Sequence, residues 1–187
     1  MDWLSLERTT DPATEPVTLA EMRLWLKIDD GDTADNDIIE SLIATARQKA
    51  EQYTNRSFID QSWTVRYNVP CDSFRLPKPP LDSVTSINII ADDGTATLQS
   101  SDDYQVIAGE ASTVFLESGN TWTSSTRPYG QMVVVYKSGY SAAAADLDDS
   151  LKTTIKQLTA YFYENREETK IPEFIESALN NYKVHNI

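Results

Sequence analysis

Apolar positions along this chain change their period twice, and the changes divide it into segments. From Asp35 to Asn55 the residues Ile39, Leu42, Ile43, Ala46, Ala50 and Tyr53 recur at three- and four-residue steps. That spacing puts them on one stripe and predicts a helix with a single buried face. A shorter helix is predicted ahead of it in "VTLAEMRLWLKI", with Leu19, Met22 and Leu26 inward. Thr18 stands as N-cap with Glu21 three residues on, a capping box, and Val17 and Met22 fill the two positions of a hydrophobic staple. At "SWTVRYNV" the period drops to two: Trp63, Val65, Tyr67 and Val69 alternate with Ser62, Thr64, Arg66 and Asn68. A strand with one buried face follows from that alternation.

Strand signals continue to Tyr140. "SVTSINIIA" with its "DDGT" turn, "TATLQ", "DYQVIA", "STVFLES" and "QMVVVYKSGY" are short apolar or alternating runs separated by Gly, Asp, Ser and Pro. About six strands at this spacing predict a small antiparallel sheet or barrel-like unit. "RLPKPP" holds a PxxP from Pro77 to Pro80, which inside such a unit reads as the end of a strand and a turn. Helical spacing then returns. Leu151, Ile155, Leu158 and Phe162 follow the N-cap candidates Asp148, Asp149 and Ser150, and Pro172 at an expected first helical position precedes Ile175, Ala178, Leu179 and Tyr182 on one face.

The expected fold class is therefore α+β: a small helical bundle made by N- and C-terminal helices, with an antiparallel β unit inserted between them. The boundaries read as 1–16, a polar arm with Pro12 and Pro16 that only a partner would order; 17–61, helical; 62–140, the β unit; and 141–187, the helices that complete the bundle with a short tail.

Composition narrows the chemistry. The chain has 187 residues, enough for a real core, with no apolar run near the ~20 residues of a membrane span and no basic, apolar leader at its start. The expectation is a protein without signal peptide or membrane anchor. One cysteine, Cys71, and one histidine, His185, rule out an internal disulfide and a zinc site of Cys and His ligands. A histidine-based triad would rest on His185, close to the C-terminus. Sixteen Lys and Arg against twenty-nine Asp and Glu give a net charge of -13, which repels phosphate. No glycine-rich phosphate loop is present. The four tryptophans, Trp3, Trp25, Trp63 and Trp122, are dispersed, as core or interface anchors would be.

"KIDDGDTADNDIIE" invites a metal reading, since Asp29, Asp30, Asp32, Asp35 and Asp37 fall within nine residues. Counted as an EF-hand loop from Asp29 to Glu40, it places Gly31, Thr33 and Ala34 where two oxygen ligands and the invariant glycine belong. The pattern fails. Asp35 and Asp37 read instead as helix-start carboxylates, capping free N–H groups at the favourable end of the dipole. Neither metal nor cofactor is expected, and no catalytic residue is visible.

Several stretches, in order, resemble the head-tail connector (adaptor) family of tailed bacteriophages, in its longer form with a β insertion. They are "VTLAEMRLWLKID", the acidic "DDGDTADNDIIESLIATARQKAEQYTNRSFIDQSW", "RLPKPPLDSVTSI", "GNTWTSSTRPYGQMVVVYKSGY" and "LKTTIKQLTAYFYENRE", covering most of Val17 to roughly Glu168. The resemblance implies a virion protein at the head-tail interface, assembled in the host cytoplasm. It would be a structural subunit of a ring, typically a dodecamer, docked beneath the portal protein and above a tail-side head-completion or tail-terminator protein. Double-stranded DNA would pass through the ring without specific binding. On this reading Phe174, Ile175, Leu179 and Tyr182 are the candidate contacts to portal or neighbouring subunit. Asp29, Asp30, Asp32, Asp35 and Asp37 are candidate contributors to an acidic channel wall. Two alternatives are a carbohydrate- or protein-binding β module using Trp122 and Tyr129, and a hydrolase with paired carboxylates.

Overall fold

The structure is a computed structural model describing residues 3–29, 31–143 and 146–184. Asp30 and His185 lie outside the described residues. The chain divides into two compact units, Met1–Pro12 with Asp60–Gly139, and Ala13–Ile59 with Tyr140–Ile187. Among the described residues, four α-helices and antiparallel sheets make it an α+β protein.

In the helical unit, α1 (Leu19–Leu26) opens on the expected capping box: the Thr18 hydroxyl accepts from the Glu21 amide at 3.2 Å, and the Glu21 carboxylate accepts from the Thr18 amide at 2.9 Å. Two otherwise orphaned donors are satisfied at once. It ends where Lys27 turns left-handed and donates its N–H back to the last turn. The long helix α2 (Asn36–Thr54) ends the same way at Asn55. The third, α3 (Asp149–Glu164), starts at Asp148, whose carboxylate accepts from the Ser150 amide at 2.8 Å.

Of the predicted stripes, Ile39, Ile43, Ala46 and Ala50 of α2 and Leu151, Ile155, Leu158 and Phe162 of α3 are buried in one core with Val17 and Met22. Leu19, Leu26, Leu42 and Tyr53 pack against it half-buried. The short α4 (Glu173–Leu179) closes the core with Ile175 and Leu179. Pro172 sits one place earlier than predicted, as N-cap with extended ψ, where its carbonyl accepts from the Ile175 and Glu176 amides.

Within this core Arg47 is buried and held in a charged fork. Its Nε and Nη2 donate to the two Glu15 oxygens at 2.7 and 3.1 Å, and its Nη1 donates to Glu51 at 2.8 Å. Burial opposes its charge, but the hydrogen bond to Glu15 and the charges of Glu51 and Glu15 outweigh that, so its pKa rises. Glu51 also accepts the Phe58 amide at 2.8 Å, so the deepest carboxylate is satisfied twice.

The β unit has a five-stranded antiparallel sheet in the order β1-β2-β8-β4-β5, formed by β1 (Trp3–Thr10), β2 (Gln61–Tyr67), β4 (Leu81–Ile90), β5 (Ala96–Leu98) and β8 (Met132–Ser138). A three-stranded sheet, β3-β7-β6, comprises β3 (Ser73–Arg75), β6 (Tyr104–Ile107) and β7 (Thr113–Leu116). Leu81 and Gly109 exchange backbone hydrogen bonds at 2.9 and 2.7 Å, joining the start of β4 to the loop after β6. Inward residues of both sheets share one core: Val65 and Tyr67, Ile87 and Ile89, Val134 and Tyr136, with Phe74 and Val114 from the smaller sheet. The hydroxyls of the two buried tyrosines are satisfied by carbonyls, Tyr67 donating to Arg75 at 2.6 Å and Tyr136 to Pro77 at 2.8 Å. Burial pushes both phenols up.

Two expectations are corrected here. The N-terminal arm is not unstructured, because residues 3–10 form β1 and pair antiparallel with β2, Leu6 opposite Val65. An edge strand is held mainly by its backbone ladder and needs little apolar sequence, so a polar segment can fill the position. Val69 is exposed and not inward, because β2 ends at Tyr67 and the alternation has no sheet left to follow.

Candidate functional site

The acidic segment between α1 and α2 is shaped by Arg23, which sequence reading passed over. Its Nη1 donates to the Asn36 side chain and its Nη2 to the Asp29 carbonyl, both at 2.6 Å. The loop is thereby pinned to the end of α1 while Asp29, Asp32 and Asp37 point to solvent. Asp32 accepts from the Ala34 amide at 3.2 Å, a local turn. Asp35 departs from expectation. It stands at the N-cap of α2 but makes no side-chain cap; its carboxylate accepts instead from the Tyr163 hydroxyl at 2.5 Å, with Arg166 at 3.9 Å. Asp35 is thus engaged in holding α2 to α3. Asp37 lies in the first turn of α2, as expected. Among the described residues no three His, Cys, Asp or Glu side chains gather into a metal-sized cluster.

The four candidate contacts of the C-terminal helix separate. Ile175 and Leu179 are fully buried in the chain's own core, and Tyr182 donates to the Asp148 cap of α3 at 2.6 Å. Phe174, 61% exposed, is the member left facing solvent. A seven-residue amphipathic helix has one apolar face, and that face is used internally.

A concave apolar site lies where α2 and α3 meet. Ile38, Leu42 and Thr45 line it with Phe162 of α3, around a volume of about 300 Å³, and Lys49, Arg166 and Glu168 stand at its margin. On α1, Leu24 is 82% exposed and Trp25 44%. The signal for that pair was present in the sequence: both lie off the face defined by Leu19, Met22 and Leu26. An apolar pair on the outer face of an amphipathic helix has no intramolecular reason to be there.

The alternative sites assemble poorly. Trp122 donates its indole N–H to the Cys71 carbonyl at 2.9 Å and packs 6.2 Å from the rings of both Phe74 and Tyr104, as an internal strut. Tyr129 is exposed on its own loop. Among the described residues, the carboxylates with displaced pKa values, Glu21, Asp93 and Asp148, all move down. Glu21 is lowered chiefly by the Thr18 amide, Asp93 by the Thr95 amide and Asp148 by the Tyr182 hydroxyl. An acid poised to donate a proton requires the opposite shift.

Fold and surface together define an α+β protein that carries exposed apolar side chains and acidic charge among its described residues. The family model described as head completion protein matches residues 15–170, and the chain belongs to that family. Its fold is similar to a chain in the neck of an empty gene transfer agent (GTA) particle computed with C6 symmetry. There the TM-score is 0.82 at 19% identity, over 98% of this chain and 97% of that one. It is also similar to chains in the virion of a native GTA particle (TM-score 0.80, 18% identity) and in the neck of a native GTA particle computed with C12 symmetry (TM-score 0.77, 18% identity), with the same coverage. No curated protein matches the chain.

Proposed function

We propose that the chain is a structural head-tail connector subunit, assembled with copies of itself into a dodecameric ring at the neck of a tailed particle, beneath the portal protein and lining the channel for DNA. Membership of the head completion family across residues 15–170 carries this reading. Two observations support it further: the fold is shared almost end to end with chains of particle necks, and one of those necks was computed with C12 symmetry.

The charge gives the role a mechanism. A wall that lets a duplex slide must leave counterions on the phosphates, and a subunit with net charge -13 offers no general attraction to them. Asp29, Asp32 and Asp37 are the exposed candidates for that wall; Asp35, committed to Tyr163, contributes less. Phe174 is the candidate contact to the portal, and the tail-side partner is a head-completion or tail-terminator protein.

Mass measurement of the purified chain, alone and mixed with portal-bearing capsids, tests the proposal. Rings of uniform copy number, or monomers that become rings on the capsid vertex, are expected. A chain that joins neither its own copies nor the vertex overturns it.

A further inference from the structure

Resting on the ring reading, we infer that Leu24 and Trp25 of one copy insert into the groove formed by Ile38, Leu42, Thr45 and Phe162 of the next. The two surfaces are different from one another, as a head-to-tail ring contact requires. The point where α1 is tied to α2 and the groove also lie on different faces of α2. Ile38, in the groove, and Asn36, bonded to Arg23 of α1, are two positions apart on α2, which is about 200° of rotation in an α-helix. A contact leaving one side of a subunit and entering the other repeats from copy to copy; two patches on one side would pair off and stop.

Size and charge fit the same occupant. A groove of about 300 Å³ suits an inserted side chain or two, and the buried Phe162 is part of its lining. Beside the Leu24–Trp25 pair stand exposed groups of both signs, Lys27 and Asp29, with the Asp29 backbone fixed by Arg23. The groove margin likewise carries both signs, Lys49 and Arg166 against Glu168. Asp29 pairs with Lys49 and Lys27 with Glu168 in this arrangement. Asp29 is thereby withdrawn from the channel wall, which leaves Asp32 and Asp37.

Complementation between two broken copies tests the pairing. Leu24→Asp destroys the insert and keeps the groove, whereas Thr45→Arg blocks the groove and keeps the insert; both positions are solvent-facing or half-exposed, so folding is checked simply by circular dichroism. Each variant alone should need at least about tenfold more protein than wild type to form rings, the effect of losing one anchor contact. Mixed in equal amounts, they should give dimers and nothing larger, because each pair has one good junction and two dead ends. Lys49→Glu should weaken rings and Asp29→Lys on top of it should restore them, a rescue that a folding defect cannot imitate. Normal rings from either single variant overturn the pairing while leaving the ring intact. Wild-type chain that forms no ring, alone or on portal-bearing capsids, overturns the functional reading and the pairing with it.

Discussion

The Tyr163 hydroxyl donates to the Asp35 carboxylate at 2.5 Å, tying the residue that opens α2 to the last turn of α3. Asp35 gives up the usual N-cap bond to do this, so the tie substitutes for a cap at the start of the longest helix. Tyr163→Phe should cost about 1 kcal/mol in denaturant unfolding, a half-exposed hydrogen bond to a charged acceptor. The bond with Asp35 raises the phenol's pKa first, with desolvation next. A folded-state pKa above the unfolded one means stability present below pH ~10 and lost as pH climbs through the folded value. The wild-type advantage over Tyr163→Phe should therefore shrink at alkaline pH.

Arg47 gives the largest expected loss. Arg47→Met leaves Glu51 buried without its guanidinium, at a cost of about 3–5 kcal/mol, whereas Glu15 is exposed enough to turn to water. Arg47→Met with Glu51→Met should recover part of this. The Phe58 amide, which donates to Glu51, would lose its acceptor and keep the double variant below wild type. Urea midpoints for the two variants decide it.

The capping box makes an acid-side prediction. Thr18→Ala removes the oxygen that accepts the Glu21 amide and should cost about 1 kcal/mol. Glu21→Gln keeps the shape of the box but not its charge. The Glu21 carboxyl is held below its ordinary value first by the Thr18 amide, with smaller help from the Thr18 hydroxyl and Lys156. A depressed folded pKa places the contribution above the unfolded pKa of about 4.5, to be lost as pH falls through the lower folded value. Wild type should exceed Glu21→Gln in thermal stability at neutral pH, and the two should converge in acid.

What the sequence made legible follows from how locally each feature is encoded. The capping box, the Asp148 cap and the core stripes of α2 and α3 depend on residues a few positions apart, and all of them appear in the structure. β1 depends on β2, more than fifty residues away, and its own residues carry no apolar alternation strong enough to announce it. The groove was hidden for another reason. Leu42 sits on the predicted inward stripe but is half-buried at its edge, where it turns toward Ile38 and Phe162. Periodicity assigns a face, and only packing divides that face between core and partner. The same ambiguity made Ile175 and Leu179 look like contact residues when they close the chain's own core.

Phe174 is where that division can be tested against the portal. It is 61% exposed on α4, while its neighbour Ile175 is fully buried, so the two adjacent residues separate docking from folding. Phe174→Ser removes a phenyl ring that packs little within the chain, and unfolding should change by no more than about 0.5 kcal/mol. Ile175→Ser opens a cavity and buries a hydroxyl, costing about 3 kcal/mol or more. If α4 meets the portal, Phe174→Ser should leave the melting temperature alone yet lower occupancy on portal-bearing capsids, read by co-sedimentation. An exposed aromatic seated in a partner's pocket is worth about 2 kcal/mol, which is roughly thirtyfold in affinity. Normal occupancy with Phe174→Ser would move the portal contact to another surface, because the remaining apolar residues of α4 are already spent on the core.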